Sequence, residues 1–218
     1  MKRRCKKRLP TRRGRALRRI AVLAAVLAYL TVFRLYAFLP VQARYESEER
    51  ANTGRTELVT WREDDGGRLE LSVKGDTLLL TRMDFQLWRG WDADRSRAWD
   101  CPPGEPAAGK AWTEYGEETE PVYLVVRISD PAVQTLELSI QHRVLQWEEP
   151  EERREVLHLR SSAEEWVTWD GCRYLLAAPR VEVPRDVVWA DPYLVITARD
   201  QAGNVTATYD SYEAEMWG

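Results

Sequence analysis

Apolar and polar positions follow two different rules along this chain. Between Ile20 and Phe33 no charged residue occurs; Arg34 interrupts the run, and Leu35-Tyr36-Ala37-Phe38-Leu39 resumes it before Pro40. As one helix, Ile20 to Leu39 would rise about 30 Å, the thickness of a bilayer's hydrocarbon core. From Thr56 onward the pattern changes to period two in short strand-like segments, the signature of half-buried strands. Segments 56–62, 68–73 and 77–82 alternate in this way, parted by Asp64-Asp65-Gly66-Gly67 and Lys74-Gly75-Asp76, which read as hairpin turns. Residues 90–120 show little period and many turn formers, and read as a long Trp-rich loop. Alternation returns at 121–128, 133–144, 156–160, 166–169, 173–178, 193–199 and 204–209. In 133–144, Leu136, Leu138, Ile140, His142 and Val144 share one face.

The pattern therefore predicts a mainly β chain with one N-terminal transmembrane helix. Its parts are a basic head (1–19), the span (20–39), a polar stalk (40–55), a small β meander with the Trp-rich loop (56–120), a β-sandwich (121–212) and a short tail (213–218).

Charge orients these parts. The formal net charge of −3 conceals a basic head and an acidic body: residues 1–39 hold 12 Lys/Arg and no acid, and the rest hold 20 basic against 35 acidic residues. Basic residues before a span keep that end in the cytoplasm, so the body is expected on the extracytoplasmic side. Arg34 lies close enough to the far end for its stem to snorkel to the interface. Ile20, Phe33, Arg34 and Leu39 thus mark the expected span. A cleaved signal peptide is the competing reading, with Ile20–Phe33 as its apolar stretch and Val41-Gln42-Ala43 as its cleavage site. The long head and the apolar residues after Arg34 weigh against it. Arg12-Arg13 is a poor match to a twin-arginine signal, because Arg15 and Ala16 follow where apolar residues belong. The acidic body argues against nucleic acid as a partner, and the head's charge suits anionic lipid.

Cysteine placement fits export. Cys5 lies in the basic head, whereas Cys101 and Cys172 lie in the body, where a disulfide between them would persist. Two free buried thiols are the alternative, since geometry decides whether a bridge forms.

The segment Tyr193-Leu194-Val195-Ile196-Thr197-Ala198-Arg199-Asp200-Gln201-Ala202-Gly203-Asn204-Val205 resembles the closing hairpin of bacterial immunoglobulin-like domains: an alternating strand, then Asp-x-Ala-Gly-Asn, then a last strand. Gly203 and Asn204 tolerate positive φ, and Asp200 can bond nearby backbone N–H groups. The likeness is close over about 20 residues and extends by strand rhythm across 121–212; it implies a sandwich and is nearly silent on function.

No nucleophile elbow, zinc-protease helix, phosphate loop or dinucleotide fingerprint occurs, so no enzyme activity and no cofactor are expected. His142 and His158 both fall in strand-like segments without a nucleophile beside them. Asp92-x-Asp94 and the Asp200/Asn204 pair do not continue as a calcium loop, and solvated turns explain them. All ten Trp lie in the body; Trp88, Trp91 and Trp99 stand among Arg and Asp in the presumed loop. They are either core filler or a stacking platform for a sugar ring or a protein. The expected function is a non-enzymatic, single-pass, membrane-anchored module that binds an extracytoplasmic protein or glycan at the cell surface. The alternative is an exported carbohydrate-binding or carbohydrate-active protein that uses those Trp residues.

Overall fold

The computed structural model describes residues 12–32, 36–64, 66–113, 119–144, 153–182 and 191–217. These residues are mainly antiparallel β-structure. β1 (Glu57–Asp64), β2 (Gly67–Lys74), β3 (Thr77–Gln86) and β4 (Gly90–Asp100) form a meander in that spatial order. The later strands are β5 (Ala107–Thr113), β6 (Thr119–Ile128), β7 (Thr135–Arg143), β8 (Arg153–Ser162), β9 (Val167–Trp169), β10 (Cys172–Ala177), β11 (Arg180–Glu182), β12 (Tyr193–Arg199) and β13 (Val205–Asp210). They make two further sheets. In one, β6 pairs with β5 on one edge and β10 on the other, β9 flanks β10, and β11 extends the pairing along β6. In the other the order is β13-β12-β7-β8. Three helices accompany them: α1 (Arg12–Val32), α2 (Pro40–Arg50) and α3 (Ser211–Trp217).

The alternation along β6 explains how the sheets stack. Val122 to Ile128 is buried without a break, as in a strand covered on both faces. Tyr123 and Arg127 point to the meander: the Tyr123 hydroxyl donates to Asp64 at 3.1 Å and the Arg127 guanidinium to Asp76 at 2.6 Å. The opposite face meets β12. Gly109, paired with Val126, has no room for a side chain, because a Cβ there would press on Leu194, Ile196 and the Val125 carbonyl. In the last sheet Leu138 pairs with Ile196 and Ile140 with Leu194, all buried. The two later sheets facing one another are compatible with a β-sandwich. Leu69, Leu71, Leu78 and Leu80 of the meander share one continuous core with them, so no core boundary falls at residue 120.

The other face of the meander is covered by α2, which replaces the expected stalk. Its buried residues are Ala43, Ser47 and Glu48, a mostly polar set. Glu48 accepts the Thr56 amide at 3.0 Å and the Thr56 hydroxyl at 2.6 Å, and pairs with Arg55 at 3.0 Å. Glu70, buried on β2, is paired with Arg68 at 2.7 Å and Arg44 at 3.4 Å. Ser47 and Thr81 share a hydrogen bond of 3.1 Å. Burying such groups is tolerable only when they are paired, as these are. Asn52, with φ +54°, ends the helix in the left-handed conformation that commonly follows a helix C-terminus.

Two more expectations need correction. The Trp-rich segment 90–120 is not one long loop: it contains β4 and β5, and β5 belongs to the sandwich. The tail is part of a helix: α3 begins at Ser211, before residue 213, and the Ser211 hydroxyl accepts the Leu194 amide at 2.9 Å.

Candidate functional site

The junction between α1 and the body is the most unusual part of the molecule. α1 opens with Arg12, Arg13, Arg15, Arg18 and Arg19 and then runs from Ile20 to Val32 without a charge. At about 100° per residue, Ile20, Val22, Leu23, Val26, Leu27 and Tyr29 occupy one half of the helix circumference, and Ala21, Ala24, Ala25 and Ala28 fill the other. Each of them is exposed.

The single helix expected over Ile20–Leu39 does not form. α1 ends at Val32, Phe33 and Arg34 lie outside the described residues, and Tyr36–Leu39 is not helical. The cause is local. Ala37 bridges Gly90 at the start of β4: its amide donates to the Arg89 carbonyl and its carbonyl accepts the Trp91 amide, both at 2.9 Å. Gly90, at φ +79°, is required there, since a Cβ would collide with the Ala37 carbonyl. Pro40 then begins α2, and a residue preceding proline disfavours helix. Among the described residues, no helix is long and apolar enough to cross a membrane.

The three candidate tryptophans do not come together. Trp88 is exposed at the β3–β4 turn. Trp91 is half-buried, packs against Ala43, Met83 and Ala93, and meets Phe85 edge-on at 5.7 Å. Trp99 lies eight residues farther along β4, about 26 Å at 3.3 Å per residue, and packs on the main core. Trp112 and Trp166 are core residues; the Trp166 indole donates to Ser161 at 2.8 Å.

Cys101 and Cys172 are free thiols, so the expected disulfide is not formed in this structure. Both lie near the buried Arg127, whose guanidinium also donates to the Pro102 carbonyl at 3.0 Å. Burial pushes the Cys101 thiol from 9.0 up to about 12, against the opposing pull of Arg127. Such a thiol stays protonated at neutral pH and is a poor nucleophile.

Asp200, Gly203 and Asn204 close the β12–β13 turn. Asp200 accepts the Asn204 amide at 2.8 Å and its side-chain amide at 2.9 Å, which lowers the carboxyl's pKa. Only Gly203 of the pair takes positive φ, at +87°. Its neighbour Asn204 contributes as a hydrogen-bond donor. Among the described residues, no group of three or more His, Cys, Asp or Glu could hold a metal ion.

Sequence reasoning missed the Ala37–Gly90 bridge and the exposed Leu87 beside Trp88. A signal was present for the second: Leu87-Trp88 lies between two alternating segments, where turn-forming residues belong. No family model, curated protein or solved structure matches the chain.

Proposed function

We propose that this protein is a membrane-anchored binding module. α1 inserts into lipid, its basic N-terminal residues remain at the cytoplasmic face, and the β-rich body stands on the opposite side as a non-enzymatic interaction domain. The observation that carries this reading is the state of Ile20–Val32. A helix that is apolar on every side belongs in a core or in a bilayer, and in this protein the side chains of residues 20–29 are exposed. The helical apolar part alone is about 20 Å long; the stems of Arg18 and Arg19 lengthen it by snorkelling.

The body's strand arrangement supports the immunoglobulin-like reading of the fold and says little of function. A β5-β6-β10 sheet facing a β13-β12-β7-β8 sheet is the order found in immunoglobulin-like sandwiches. The closing hairpin around Asp200 points to the same class. A sugar-binding platform made of Trp88, Trp91 and Trp99 has no support in their separation.

The anchor is tested by washing membranes that carry the full chain with alkaline carbonate. The wild type is expected to stay in the pellet. The double variant Leu23→Arg/Leu27→Arg, which alters only exposed side chains, is expected in the supernatant. Release of the wild type by carbonate overturns the reading.

A further inference from the structure

The β3–β4 turn carries residues that its local geometry does not explain. The Arg89 amide closes the turn onto the Gln86 carbonyl at 3.2 Å, which makes Leu87 and Trp88 its two central residues. Those positions are normally held by Gly, Asn, Asp, Pro or Ser, which suit the backbone and the solvent. Here Leu87 is 83% and Trp88 is 79% exposed, the two most exposed large apolar side chains in the described body. Phe85, at 49%, adjoins them on β3.

The turn is also fixed to the chain leaving α1. Ala37 is hydrogen-bonded to Arg89 and Trp91, the residues on either side of Gly90. Its neighbours Phe38 and Leu39 are exposed at 38% and 58%, and Tyr36 stacks on Phe38 at 4.6 Å between ring centres. Only four residues separate Val32 from Ala37. The apolar turn and the apolar end of the N-terminal segment therefore form one patch, held together by backbone hydrogen bonds.

The geometry points to the β3–β4 turn as a second membrane contact: Leu87 and Trp88 enter the lipid interface beside the point where α1 emerges, and hold the body down on the bilayer. This rests on the anchor reading of α1. Trp suits that depth because its ring is apolar and its indole N–H can stay hydrated. Leu87 supplies the deeper, fully apolar contact. Gly90 lets the backbone of Ala37 approach closely enough to lock the turn's orientation relative to the anchor.

The test uses the full chain reconstituted into phosphatidylcholine/phosphatidylglycerol vesicles, with and without lipids brominated on the upper acyl chain. Trp88→Phe is compared with Trp61→Phe. Trp61 is another exposed indole, on β1 at the far edge of the meander, three strands or about 14 Å away. The inference expects brominated lipid to quench part of the wild-type emission, Trp88→Phe to lose most of that quenched part, and Trp61→Phe to keep it. Equal quenching in Trp88→Phe and the wild type, with both proteins floating with the vesicles, overturns the second contact and leaves the anchor standing. Failure of the wild type to float overturns the anchor and this inference together.

Discussion

Cys101 lies in a core that penalises its thiolate, and this has a consequence in alkali. Its folded pKa is about 12 against an ordinary 9.0. Between those values the unfolded chain gives up a proton that the folded chain retains. The stabilisation is therefore complete below pH 9 and is lost as pH rises through 12. Tyr174, raised by burial from 10.0 to about 12, acts in the same direction. Thermal unfolding followed between pH 9 and 12 should show a falling Tm in the wild type and a shallower fall in Cys101→Ala. Parallel curves would contradict this account of the thiol. The sequence offered a disulfide between Cys101 and Cys172, or two free buried thiols as the alternative, but not the shift in the thiol's titration. Burial and the nearby Arg127 are products of tertiary packing.

α2 shows what hydrophobic periodicity cannot see. Its sequence, PVQARYESEER, reads as a solvated stalk because the face it buries is polar. Glu48 is fixed by Thr56 and Arg55 just before β1, and the Thr56 hydroxyl also meets the Ser72 hydroxyl of β2 at 2.9 Å, which ties the helix to the meander. Removing Glu48 leaves the buried Thr56 amide and hydroxyl without their acceptor, at a cost of about 1–3 kcal/mol, whereas Arg55 is 61% exposed and regains water. Glu48→Ala is therefore expected to lower the urea midpoint strongly, whereas Glu49→Ala, at an exposed position on the same helix, should change it little. Similar midpoints for the two variants would show that the carboxylate does not secure α2. The strands divide on the same principle. β2, β7 and β12 bury apolar residues at every second position and were readable; β1 and β3 were readable from their bounding turns, although β1 buries no residue fully and β3 buries Leu78, Leu79 and Leu80 in succession. β4 has Arg, Asp and Ser along an edge with a register shift, and β5 is built largely of Ala and Gly because β12 passes close to Gly109. Neither leaves an alternating apolar signal.

At the scale of the whole molecule, charge and exposure describe one arrangement. A basic N-terminal segment leads into a helix whose residues 20–29 are exposed, Ala37, five residues past that helix, pairs with Gly90 of the body, and an acidic body follows. The basic head, the apolar run and the sandwich rhythm were visible from the sequence. The end of α1 was not, because capture of Ala37 by β4 is a long-range backbone pairing that no local pattern encodes. The exposed Trp88 and Leu87 lie beside that same bridge.

Topology tests the central claim most directly. Protease added to sealed right-side-out membrane vesicles carrying the full chain should digest the β-rich body and leave a short membrane-held N-terminal fragment; in inverted vesicles the body should survive intact. A body that resists protease in right-side-out vesicles, and is cut only when they are inverted or opened, would contradict it.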